Sequence, residues 1–213
     1  MLLADARLPV GGHTQSGNLE PALRSGLQLS QVPEYLRARL DSVVRVEAAT
    51  AVVARHRCRH GAALVDVERA WAARTPSAAL RSTSRQLGRG MLRLARQLWS
   101  DSPALHGLDA LAQPPRAVVL GAVAAAAGLS AASLARLIAY DDLQTVAAAA
   151  LKLEPLDPAL TTRWVFDLMP RLDQVAQGVA AFTRPDEIPA LGAPQIEVWA
   201  EHHTRADRRL FSA

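Results

Sequence analysis

The chain has 213 residues, half of them hydrophobic and 21% charged, a globular balance that excludes a disordered polymer. Alanine supplies 42 residues against nine aromatics; it favours helix and adds little to a strand, so composition points to an all-α protein. A net charge of +4 over the whole chain is thin support for binding a phosphate backbone, and a single cysteine excludes both an intrachain disulfide and a cysteine-based structural zinc site.

The first residues carry no basic segment followed by a long apolar run, so no secretory signal is expected. Residues 8–20, Leu-Pro-Val-Gly-Gly-His-Thr-Gln-Ser-Gly-Asn-Leu-Glu, read as a shaped loop, with Ser16 and Glu20 opening a helix that ends near Gly26. Pro33 marks the next helix start. Leu36, Leu40, Val43, Val44, Ala48, Ala51 and Val52 follow at helical spacing, and Glu47 falls on the same apolar face. A buried carboxylate needs a partner, and an Arg from a neighbouring helix is the expected one.

Residues 66–74 form another helix, ended by Thr75-Pro76. Ser77 caps the following one, which carries Arg81, Arg85, Arg89, Arg93 and Arg96 beside an apolar side of Met91, Leu92, Leu94, Ala95 and Leu98. Residues 100–115 read as a loop. Residues 117–135 are uncharged and near membrane-span length, but Gly128-Leu129-Ser130 reads as a C-cap followed by an N-cap. Two buried helices meeting at a turn are therefore expected, the second running towards Leu153 and broken by residues 154–158. Thr161 or Thr162 then starts a helix with the stripe Val165, Leu168, Leu172, Val175, Val179 and Phe182, in which Pro170 predicts a kink. After a loop over residues 183–194, a last helix spans Gln195 to about Ala206. The sum is a bundle of about eight to ten helices with no convincing strand, repeat or domain linker.

Enzyme signatures are missing: no phosphate loop, no HExxH, no GxSxG. His56 and His60 stand at i and i+4 around Cys58, a spacing that can share a metal, but Arg55, Arg57 and Arg59 repel a cation and a solvated helix end is the preferred reading. The adjacent His202 and His203 face different directions. The Arg-bearing helix lacks an aromatic platform, so ion pairing within the bundle or with an acidic partner competes with nucleic-acid binding. Lys152 is the only lysine among 24 basic residues, and an ammonium differs from a guanidinium in reach and geometry.

Three segments together resemble the UreF family of urease accessory proteins. Residues 3–20 are similar to its N-terminal signature through Asp5, Pro9, Gly11, Ser16, Gly17 and Glu20. Ser84, Arg85, Gly88 and Arg89 are similar to its Ser-x-x-x-Gly-Arg segment. His202-His203 and Arg209-Leu210-Phe211-Ser212 are similar to its last helix and ending. Asn18 stands where a second glycine is common, and the stretch after Lys152 departs from many members. The resemblance implies one all-α UreF-like domain over residues 1–213, cytoplasmic and not an enzyme. It implies binding to the accessory protein UreD, called UreH in some organisms, recruitment of the GTPase UreG, docking on apo-urease, and dimerisation within the complex. Nickel would be handled by the assembly, and GTP and magnesium bound by UreG, with no cofactor or metal held tightly by this chain. Ser16, Gly17, Glu20, Arg85, Arg89, Lys152 and Arg209 would be partner-binding residues, with Lys152 and Arg209 organising the surface that meets UreG. Neither nucleic acid nor a membrane would be a partner. A helical DNA-binding regulator is the alternative that composition permits, but such a protein normally opens with a helix-turn-helix rather than a Pro/Gly loop.

Overall fold

The computed structural model describes residues 3, 8, 11–207 and 209–213. Asp5 and Pro9 of the N-terminal motif, and Arg208, lie outside the described residues. Among those described there are nine α-helices and no strand: α1 (Leu19–Arg24), α2 (Val32–Arg39), α3 (Arg45–Arg59), α4 (Val65–Ala73), α5 (Ala78–Leu98), α6 (Arg116–Ala126), α7 (Ala131–Leu153), α8 (Pro158–Val179) and α9 (Pro194–Thr204). A π-helical turn, Leu40–Val44, joins α2 to α3.

Small residues set the closest packing. A Cβ at Gly121 of α6 would lie 2.5 Å from the Ala51 carbonyl and 2.6 Å from Ala54 Cβ of α3, so the two helices touch backbone to backbone. Around them lies one apolar cluster that includes Leu64, Val67, Trp71, Val119, Val123, Leu134 and Ile138. A second joins α2, α7 and α8 through Leu36, Leu40, Leu143, Val146, Trp164 and Leu172, and it takes in Ile196 and Phe211 from the C-terminal end.

Local signals explain several helix ends. Gly128 takes φ +69 after α6, and Ser130 caps α7 by accepting the Ser133 amide at 3.1 Å, so the uncharged stretch is two helices and a turn. No described helix is long and apolar enough to cross a membrane. Ser77 caps α5, accepting from the Leu80 amide at 3.2 Å. Glu201 of α9 reinforces that cap, accepting the Ala79 amide at 2.9 Å and the Ser77 hydroxyl at 2.6 Å; these bonds hold its carboxyl below the usual range.

Several expectations need correction. α1 opens at Leu19 behind Asn18, which makes no side-chain cap bond, and the Ser16 hydroxyl bonds the Ala213 oxygen instead of capping the helix. α8 begins at Pro158 rather than Thr161 or Thr162, since Asp157 caps it through the Ala159 amide at 2.8 Å. Pro170 lies inside α8 as expected, and the helix runs on past it to Val179. The loops over 100–115 and 183–194 contain 3₁₀ turns, Pro103–Ala110 and Pro185–Glu187. The half-buried Glu47 is satisfied by the Trp71 indole, which donates at 2.6 Å, and not by a direct Arg contact; desolvation pushes its carboxyl up, with Trp71 and then Arg116 opposing.

Candidate functional site

The N-terminal motif is folded against the far end of the chain. Glu20 is 1% exposed, and its carboxylate accepts the amides of Leu210 at 2.8 Å and Phe211 at 2.9 Å. Ser16 is fully buried; its amide donates to the Ala213 carbonyl at 2.5 Å and its hydroxyl donates to the same oxygen at 3.1 Å. The Ser212 amide returns a bond to the Thr14 carbonyl at 2.8 Å. A carboxylate suits this position because it can accept from two backbone donors at once and the charge strengthens both bonds.

Gly17 fixes the loop from the other side. Its carbonyl accepts from the Tyr35 hydroxyl at 2.5 Å and from Arg39 at 2.8 Å. The backbone there is left-handed, φ +57, and a Cβ would lie 2.7 Å from Val146 Cγ2. Asn18 follows with φ 64, the only non-glycine positive φ described. Asparagine tolerates this region, which accounts for its replacing a glycine. Arg39 also grips Asp142 of α7 with two bonds of 2.8 and 2.5 Å. Burial works against its charge, but Asp142 more than restores it, and the guanidinium is held charged.

Lys152 ends α7 beside this junction. Its ammonium lies 5.3 Å from the centre of the Phe211 ring and donates to the His13 carbonyl at 3.4 Å. Lys152 and Arg209 are both exposed, as are Leu151 and Leu210, the last at 62%. The buried residues of the motif thus shape a tail, and that tail with the end of α7 presents two cations and two apolar side chains to solvent. Beside it a cavity of about 400 Å³ is lined by His13, Gly17, Glu47, Leu87, Met91, Arg116, Asp141, Asp142 and Phe211.

Arg85 and Arg89 are not part of this junction. Arg85 pairs with Glu68 at 3.3 Å and lies 5.5 Å from the centre of a Trp71 ring. Arg89 is exposed on α5. The rest of that segment serves the packing of the bundle. Ser84 accepts the Arg116 amide at 3.2 Å, and a side chain at Gly88 would run into the Pro114 carbonyl, so both residues seat the start of α6.

Tyr35, Arg39 and Asp142 belong to the junction but escape sequence reasoning, and His203 joins them. His203 is buried, with Nε2 3.1 Å from the Phe211 carbonyl and 3.9 Å from Glu20. The His-His pair was the one available signal for it. Among the described residues no group of three or more His, Cys, Asp or Glu side chains gathers to hold a metal. Burial pushes the Cys58 thiol up to about 11, which leaves it inert.

Comparison with known proteins bears on this geometry. The family model described as UreF matches residues 29–169. The chain is 37% identical over 220 residues to the urease accessory protein UreF of Mycobacterium sp. (strain JLS), covering 100% of this chain and 97% of that protein. It is 37% identical over 216 residues to that of Mycobacterium marinum (strain ATCC BAA-535 / M), with the same coverage. It is 36% identical over 214 residues to that of Mycobacterium bovis (strain BCG / Pasteur 1173P2), covering 99% and 96%. These alignments span both ends of the chain, and so include the motif and the tail that meet here.

Proposed function

The chain belongs to the UreF family of urease accessory proteins, and from that membership we propose that it is the adaptor of a nickel-insertion chaperone. In this reading it forms one domain over residues 1–213, dimerises within its complex and works in the cytoplasm. It binds a UreD (UreH) protein, recruits the GTPase UreG and docks on apo-urease. It catalyses no reaction itself: its effect on UreG is a difference in binding free energy between nucleotide states. Nickel is cargo of the assembly, and GTP and magnesium belong to UreG.

The observation that supports this most directly is the exposed tail surface. Lys152, Arg209, Leu151 and Leu210 stand in solvent on a scaffold whose own bonds are all internal. Apolar side chains flanked by cations suit a protein partner carrying carboxylates more than a nucleic acid, since no aromatic stacking platform is exposed there.

The test is co-purification of the chain with the UreD- and UreG-like proteins of its own genome, with and without GTP. A complex whose UreG content changes with nucleotide is expected, and Lys152→Ala and Arg209→Ala should each reduce that content while UreD stays bound. Absence of any complex, with salt-sensitive retention on DNA, would overturn the reading.

A further inference from the structure

Away from the tail and its cavity, one pair of metal-ligating side chains stands at a helix end. His56 and His60 close the last turn of α3, with ring centroids 4.3 Å apart and planes inclined by 33°. Residues four apart leave a helix on one face, so the rings are neighbours by construction. His60 Nδ1 lies 2.8 Å from the His56 carbonyl oxygen. A carbonyl only accepts, so Nδ1 carries the proton and Nε2, on the other side of the ring, keeps its lone pair. The carbonyl is one of those that end a helix without an intrahelical partner, where the backbone dipole favours a cation. His60 is exposed and His56 half-buried, so water reaches both.

We infer that His56 and His60 form an open two-imidazole site for a first-row divalent cation, Ni²⁺ or Zn²⁺, with water completing its coordination. Imidazole suits these ions, and a ring N–H bound to a backbone carbonyl is the usual outer contact of a ligating histidine. Cys58 is not a third ligand, because it stands two residues from each ring and packs against the apolar core. The opposing charges are Arg55, Arg57 and Arg59. Arg55 is tied back, its Nε donating to the Leu129 carbonyl at 2.5 Å, though its charge still acts on His56. Arg57 and Arg59 sit one position from a ligand, about 100° round the helix, inside the Debye length of about 10 Å at 0.1 M, so their repulsion is only partly screened and keeps the affinity modest. With two protein ligands the site exchanges its ion readily, which distinguishes it from a structural centre.

The experiment titrates the full chain, free of any histidine tag, with Ni²⁺ alone by calorimetry, and follows the histidine ring protons by NMR. One equivalent is expected to bind, with the His56 and His60 resonances broadened first by the paramagnetic ion. His56→Gln and His60→Gln should each weaken binding by at least about tenfold, and His106→Gln should leave it unchanged. Melting curves of the variants show whether each is folded, and the broadening decides the matter in the native chain whether or not they are. Binding that survives both substitutions, broadening centred on His13 or His202, or no binding at millimolar Ni²⁺ would each overturn the proposal. The inference stands apart from the partner reading: failure to capture UreG does not touch it.

Discussion

Glu20→Gln separates the tail from the body of the protein with the smallest possible change in shape. The carboxylate accepts two backbone amides at 2.8 and 2.9 Å and pairs with Arg24 at 2.7 Å. An amide side chain keeps one accepting oxygen and turns an NH₂ towards the second backbone N–H, donor against donor. The loss is one charge-assisted bond and one bare buried donor, about 2–4 kcal/mol in all. The contact with Arg24, itself about half exposed, adds less than about 1 kcal/mol. Every 1.4 kcal/mol is about tenfold in an equilibrium, so the amides of Leu210, Phe211 and Ser212 should exchange with solvent at least about 30-fold faster in the variant. The opening is local, so amides within α3 and α6 should keep their protection under the same conditions. Native-state hydrogen exchange measures both. Tail amides that exchange at the wild-type rate would show that Glu20 does not hold the tail, and the account of the N-terminal motif would fall with it.

Gly17→Ala should cost about 2–5 kcal/mol in urea denaturation, from left-handed backbone strain and from the overlap with Val146; adding Val146→Ala should recover only the steric part, and complete recovery would refute the strain. Glu47→Gln tests the half-buried carboxyl. Burial raises its folded-state pKa above the unfolded value, so the folded chain holds the proton more tightly. Its contribution is therefore full below about pH 4 and is lost as pH rises through the folded value. Glutamine still accepts from Trp71 but never ionises, so the variant should melt higher than wild type at pH 8 and flatten the profile, and no gain at pH 8 would contradict this. Gly121→Ala must push α3 and α6 apart, because the added Cβ meets backbone rather than a movable side chain. A loss of about 3 kcal/mol or more is expected by calorimetry, and a near-neutral effect would show that the helices can slide.

Features settled by a few neighbouring residues were legible in the sequence. Ser77, Ser130 and Gly128 delimit α5, α6 and α7 where their chemistry predicts, and the alanine content yields the all-α class. Asp157-Pro158 is also a local signal, a capping side chain before a proline already shaped for the first helical turn, and the start of α8 was readable from it. The partner of Glu47 was not readable, because Trp71 reaches it from another helix. The π-turn at Leu40–Val44 has no proline or glycine to announce it. The tail contacts join residues 190 and 191 positions apart, beyond any window in which periodicity carries information.

The motif residues therefore divide by exposure into two kinds with different consequences. Ser16 and Glu20 are buried and bonded to the tail, and the half-buried Gly17 is fixed by Tyr35 and Arg39, so a partner meets mainly what they support. Arg209 and Leu210 are in solvent and can touch a partner directly. Lys152 belongs to both kinds: it faces solvent, yet it lies against the Phe211 ring and the His13 carbonyl. A compact ammonium on a flexible stem fits between a ring face and a single carbonyl, whereas a guanidinium would bring five donors to a place offering one acceptor. That is a physical reason for a chain otherwise built with arginine to keep one lysine here. It also means that partner capture and tail protection must be read together. A substitution that lowers capture while the Leu210 and Phe211 amides stay protected removes a contact, and one that lowers both removes the platform on which the contact stands.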